Sequence, residues 1–218
     1  TRIVGHEMPV LEGYYRECWD KKLYTLYNCI DPHDRKPFAI AWFAVFPNED
    51  VVGVAEWPDE SMPMFHKIKN WSWSPREYAE MIHATELAIG KPADVRVMDP
   101  YFGNAPKTNG PTTAQLMKTA GEEIKYPLRY AFPPALSLQV GHLKVKMLLG
   151  NPAAGIRPKF FLLPHLRNSK FAMTHYGYKE NTDKSKGLSE EPELVHKDFA
   201  DLPRFVAARG ARYLKKIL

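Results

Sequence analysis

Three apolar runs rich in β-branched and aromatic residues stand close together early in the chain: Leu23 to Ile30, Phe38 to Phe46 (FAIAWFAVF) and Val51 to Trp57 (VVGVAEW). Breaker-rich connections separate them, the second being Pro47-Asn48-Glu49-Asp50. Such runs read as strands. So little chain between them leaves an antiparallel meander as the available pairing, since a parallel connection needs a crossover of a dozen residues or more.

The period then changes. Ser74-Pro75-Arg76-Glu77 is a capping box with proline at the first helical position, and Tyr78, Met81, Ile82, Thr85 and Ile89 follow at helical spacing until Gly90. Asp94 to Met98 (DVRVM) is a short β-branched run. A second capping box at Thr112 to Gln115 predicts a helix ending at Gly121. Leu128 to Phe132 is expected to form another strand. Ala135 to Leu149 is expected to form a helix with Leu136, Val140, Leu143 and Met147 along one stripe. This order, βββαβαβα, predicts an α/β fold: a ribonuclease H-like mixed sheet, antiparallel over its first three strands and then parallel, flanked by helices. Lys159 to Leu163 and Phe171 to Tyr178 are expected to add a C-terminal β-hairpin, and Asn181 to Glu193 a mobile surface loop. Residues 1–22 read as an entry segment or linker, and 23–218 as the domain.

With 218 residues, 44% of them hydrophobic, the chain can bury a full core. No run approaches the roughly 18 apolar residues of a membrane span, and the N-terminus lacks the pattern of a secretory signal. Cys18 and Cys29 fit reduced intracellular thiols better than a disulfide. A net charge of +5 is compatible with a polyanionic partner but does not require one. The start at Thr1 fits processing and a domain excised from a longer protein equally well.

Acidic residues carry the chemistry. Asp31 and Asp99 each end an apolar run, and Asp198 stands where a C-terminal helix begins. Asp31-Pro32 and Asp99-Pro100 also read as plain turn starters, because Asp bonds nearby backbone and Pro fixes φ. If both strands lie parallel at the centre of the sheet, however, both carboxylates emerge at the edge where open α/β sheets place their sites. In His196-Lys197-Asp198-Phe199-Ala200-Asp201-Leu202-Pro203, proline belongs in a first helical turn, so Asp201 suits the cap or first turn and Asp198 is freer to face the sheet. Hard divalent cations prefer oxygen ligands, and two of them about 3.5–4 Å apart activate water and neutralise a phosphodiester. No HExxH, GxSxG or GxxxxGK[ST] is present.

The segments LYNCIDPHDRKPFAIAWF, VRVMDPYFGNAPKTNGPTTAQLMKTAG and VHKDFADLPRFVAARGARY together resemble the C-terminal nuclease domain of the large terminase subunit of tailed bacteriophages. The resemblance implies an acidic triad of Asp31, Asp99 and Asp198 holding Mg²⁺ or Mn²⁺, two ions in the DNA complex. Lys197 stands where family members often carry a second acidic residue, leaving Asp34, His196 and Asp201 as accessory candidates. Lys107, Lys184, Lys186, Arg204 and Arg209 are expected to hold the backbone of double-stranded DNA. The resemblance further implies a preceding ATPase domain, portal and small terminase subunits as partners, and the cytoplasm of an infected bacterium as the setting. The isolated domain is expected to be a monomer. The expected activity is endonucleolytic cutting of concatemeric DNA during packaging. A junction resolvase or recombinase, and a non-catalytic DNA-binding packaging module, are the alternatives.

Overall fold

The computed structural model describes residues 13–104, 110–134, 138–175, 178–180, 188–192 and 197–215. At its centre is a five-stranded sheet of β1 (Thr25–Asp31), β2 (Ala39–Val45), β3 (Val51–Trp57), β4 (Val95–Met98) and β5 (Phe160–Leu162), in the order β4-β1-β2-β3-β5. The first three strands form the predicted antiparallel meander. β4 then joins β1 in parallel, with Ile30 opposite Met98. Every residue of β1, β2 and β3 is buried, because helices cover both faces of the sheet. The expectation of a ribonuclease H-like mixed sheet flanked by helices holds.

One face packs against α2 (Pro75–Ile89) and α4 (Thr113–Glu123), the other against α7 (Lys197–Ala208), with α5 (Leu138–Leu149) and α6 (Arg167–His175) resting on α7. α2 begins and ends as its sequence predicts. The Ser74 hydroxyl accepts from the Glu77 N–H, Glu77 returns the bond, and Gly90 closes the helix at φ 90°, a conformation that costs glycine little. At the start of α6 the buried Glu56 carboxylate of β3 accepts from the N–H groups of Asn168 (2.7 Å) and Ser169 (2.8 Å), satisfying donors that a helix start leaves open.

A single acidic side chain ties the first face together. Glu86, fully buried on α2, accepts from Trp42 Nε1 on β2 (3.1 Å), from the Ala93 N–H (2.7 Å), from both terminal nitrogens of Arg96 on β4 and from the Tyr126 hydroxyl (2.6 Å). The pattern of a bidentate guanidinium with further donors is the one in which a buried charge is tolerable.

Several elements differ from the sequence reading. The segment before β1 contains a helix, α1 (Tyr14–Asp20), which buries Cys18, and Trp19 stacks on Tyr24 at 4.5 Å. A one-turn helix, α3 (Pro100–Asn104), follows Asp99. α4 runs through Gly121 to Glu123; a Cβ at Gly121 would lie 2.6 Å from the Tyr126 carbonyl oxygen, so this glycine serves the close return of the chain and does not end the helix. Residues 128–132 contribute one parallel bridge, Ala131 to Val97, in place of a strand. α5 turns Val140, Leu143 and Met147 outward, at 42%, 57% and 70% exposure. Its inward face is set by Gly141, where a Cβ would meet Arg204 Cδ at 2.7 Å, so the helix approaches α7 along the side with least bulk. Leu136 lies outside the described residues.

The expected hairpin is also redistributed. Phe160–Leu162 pairs in parallel with β3 as the far edge of the main sheet, and Phe171 to His175 is helical. A two-stranded antiparallel pair forms instead from β6 (Tyr178–Glu180) and β7 (Leu188–Pro192), which places a strand within the segment expected to be a loop. The remainder of that segment, 181–187 and 193, lies outside the described residues.

We expect Glu86→Gln to lower the free energy of unfolding by about 3–5 kcal/mol, since it removes one partner of a buried charge pair. Urea denaturation followed by tryptophan fluorescence measures this, and an unchanged midpoint would refute the role given to Glu86.

Candidate metal centre

The parallel pairing of β1 and β4 places two acidic residues side by side. Asp31 is the last residue of β1, Asp99 follows the last residue of β4, and the Asp99 N–H donates to the Ile30 carbonyl at 2.9 Å. Asp99 Oδ1 accepts from the Tyr101 N–H at 2.7 Å, a local bond that fixes the turn into α3.

Asp198 arrives from the opposite direction, in the first turn of α7. Here the sequence reading needs correction. Pro203 sits inside the helix as its seventh residue, so the helix starts at Lys197 and Asp201 is not its cap. Proline in a helix interior costs about 3 kcal/mol. Burial of Phe199, Leu202, Phe205 and Val206, none more than 2% exposed, outweighs it at roughly 1.5–3 kcal/mol per side chain. Asp201, one turn on, accepts from Arg204 Nε at 2.8 Å.

Three donor groups converge: the carboxylates of Asp31 and Asp198 and the imidazole of His33, with one ligand atom from each lying within 4.8 Å of the others. His33 Nε2 is 3.4 Å from Asp198 Oδ1 and 3.8 Å from Asp31 Oδ2. Lys36 Nζ stands 3.6 Å from Asp198 Oδ2 and lies over the Phe65 ring, which also packs against His33. Sequence reasoning passes over His33 and Lys36. The signal for His33 is present in Asp31-Pro32-His33, since extended backbone returns side chains i and i+2 to the same side. Lys36 carries no such mark; the fold of the β1–β2 turn brings it in.

The electrostatics follow from crowding. Burial first, and then the charges of Asp99, Asp198 and Asp201, push the Asp31 carboxyl up to about 8. Burial holds the His33 imidazole below its usual value, so it is neutral at pH 7, the form that binds metal. Two carboxylates and a neutral imidazole fit one divalent ion. The imidazole shifts the set away from the all-oxygen preference of Mg²⁺ toward ions that accept nitrogen as well.

The other expected residues are dispersed. Asp34 is exposed on the β1–β2 turn, outside the donor group. Arg204 is half-buried, bonded to Asp201 and packed on the Phe205 ring. Arg209 is exposed, and its NH1 donates to the Phe132 carbonyl at 3.1 Å. His196, Lys107, Lys184 and Lys186 lie outside the described residues. Cys18 and Cys29 are both buried free thiols. Among the described residues, no helix is long and apolar enough to cross a membrane.

No protein-family model matches the chain, and no curated protein sequence matches it. Solved structures do. The g2p (large terminase) nuclease domain from the bacteriophage SPP1 with bound Mn superposes with a TM-score of 0.54 at 11% identity, covering 93% of this chain and 94% of that one. The large terminase from a thermophilic bacteriophage gives 0.58 at 12% identity over 85% of this chain, which spans 39% of that longer chain. The nuclease domain of the P22 large terminase gives 0.54 at 12% identity, covering 86% and 81%. The fold is that of the large-terminase nuclease domains.

Because Asp31 holds its proton up to about pH 8, binding of an ion to this group must displace that proton. We expect Mn²⁺ affinity to rise up to about tenfold per pH unit below pH 8 and to level off above it. Calorimetry in two buffers of different ionisation enthalpy counts the proton. An affinity that does not change between pH 6 and 8 would exclude this coupling.

Proposed function

We propose that this chain is a metal-dependent DNA endonuclease domain of the large-terminase type, hydrolysing the phosphodiesters of concatemeric viral DNA during genome packaging with little sequence preference. The observation that carries the reading is the convergence of Asp31, His33 and Asp198 at the end of the parallel β1–β4 pair in a ribonuclease H-like sheet. The likeness in fold to three bacteriophage terminase structures, one of them with bound Mn, supports it.

Asp31, His33 and Asp198 would hold a divalent ion, and Asp99, beside Asp31, is the candidate for completing a second. Such ions, when bound, lower the pKa of water and neutralise charge on the phosphate and the departing 3′ oxygen. The chain's own groups prepare the place. The ring of His33 is fixed between Phe65 and Asp198, so its Nε2 faces the carboxylates. Lys36, with half of its side chain exposed, is a point charge at the rim that can follow a phosphate oxygen as DNA arrives. Contacts of this kind hold the sugar–phosphate backbone without reading sequence.

Because the chain spans 39% of the thermophilic phage's large terminase, an ATPase domain preceding this one, together with portal and small-terminase partners, belongs to the same proposal. On this reading the protein acts in the cytoplasm of an infected bacterium, and cutting is the part of the work done here.

We expect supercoiled plasmid to be nicked and linearised with Mn²⁺ and left intact with EDTA. Asp31→Ala and Asp198→Ala should each lower the rate by more than about 100-fold, beyond the 10- to 100-fold typical of residues that merely support a ligand. Equal cutting in all of these samples would sink the assignment.

A further inference from the structure

Beside the three donor groups is a cleft of about 210 Å³. It lies between the β1–β2 turn and the segment leading into α2, held at that width by the Trp71 N–H donating to the Arg35 carbonyl at 3.1 Å. His33 and Lys36 belong to both the cleft and the acidic group, so the two are continuous. Four aromatic residues, Phe38, Trp71, Trp73 and Tyr78, line the remaining wall together with polar Asp34 and Ser72.

The polar atoms of this wall are poorly matched. Buried polar groups are almost always hydrogen-bonded. Yet among the described residues the Trp71 indole N–H and the Thr113 hydroxyl are buried without a hydrogen-bond partner, as is the N–H of Trp57, whose ring packs on Trp71 and Trp73. Thr113 is only 3% exposed. Trp71 Nε1 lies beside the Tyr78 hydroxyl without reaching hydrogen-bond geometry, and that hydroxyl already accepts from the Phe38 N–H at 3.0 Å. A wall with this many aromatic rings suits a flat heterocycle. The volume is below the roughly 300–1,000 Å³ of pockets for drug-sized ligands, which limits the occupant to about one ring system.

We propose that this cleft receives one unpaired nucleobase of the strand whose phosphodiester lies at Asp31, His33 and Asp198. The inference rests on the nuclease reading for the identity of the strand. It adds that the domain engages DNA with a base displaced from the stack next to the cut. Removing a base from a duplex costs a few kcal/mol, least where pairing is already lost, so cleavage favours frayed, mismatched or single-stranded positions. Trp71 and Trp73, the partly exposed rings of the wall, give the base its stacking surface, and every base has a π-face, so the cleft adds little sequence preference.

The test uses oligonucleotide duplexes with 2-aminopurine either paired or mismatched at one position, bound by Asp31→Asn protein so that no cutting occurs. The mismatched probe should be quenched on binding and bind more tightly than the paired one. Trp71→Ala and the cleft-filling Leu116→Trp should weaken its binding by about 5-fold or more and abolish the quench. Circular dichroism checks that each variant is folded. Folded variants that bind and quench as the parent does would overturn the proposal. Cutting by the native chain that is Mn²⁺-dependent but indifferent to pairing would overturn the cleft while leaving the nuclease intact. A Trp71-dependent quench without any cutting would uphold base binding and remove the nuclease.

Discussion

The Glu86 carboxylate is the interaction on which the arrangement of this domain depends. It is fully buried, and it is tolerable there because donors from β2, from the approach to β4, from β4 itself and from the chain after α4 all converge on it. A buried carboxylate that lost one of these donors would retain its desolvation cost with less to offset it, so the donors hold their elements in one relative position. The element fixed most consequentially is β4. Arg96 places it alongside β1, and the parallel register that follows sets Asp99 beside Asp31 at the sheet edge.

The opposite face works by shape and apolar burial. α7 lies across the sheet with almost every side chain covered, and that burial carries the helix through Pro203. The consequence is functional geometry. A helix begun at Lys197 has Asp198 in its first turn, where the helix dipole favours negative charge, and points it at the β1 edge. Asp201, a turn later, is neutralised by Arg204, and α5 can sit over that pair because residue 141 is glycine.

Charge crowding at the edge is the counterpart of this rigidity. Asp31 is buried among like charges, and in the absence of an ion it is eased by holding its proton. Donor groups that repel each other and are already held in place by the fold would be preorganised for a cation, since the repulsion it relieves adds to the attraction it supplies. The aromatic cleft shares His33 and Lys36 with this group, so whatever occupies one is felt by the other.

Local pattern was enough for the elements that repeat one signal without interruption. The three strands of the meander, the helix from Pro75 to Ile89 with both caps, and the strand-end positions of Asp31 and Asp99 were legible because alternation, capping boxes and turn residues are short-range properties. The nearness of Asp198 to Asp31, across most of the chain's length, was expected only through the order of elements and a family resemblance. Where the sequence misled, a long-range contact had overruled a local rule: Gly121 stays helical under a returning chain, Val140, Leu143 and Met147 face outward because Gly141 permits the closer approach, and Pro203 lies within a helix that core burial sustains. His33 and Lys36 could not be ranked from sequence, since a single histidine and a single lysine in a turn acquire meaning only from what stands opposite them. By itself, then, the sequence determined the strands of the meander, the capped helix α2 and where acidic groups end β1 and β4, because hydrogen-bonding period and capping are encoded within a few residues. Tertiary structure alone decided which side chains meet at the sheet edge, because that meeting depends on the packing of α7 and the register of β4, both set by contacts between residues far apart in the chain.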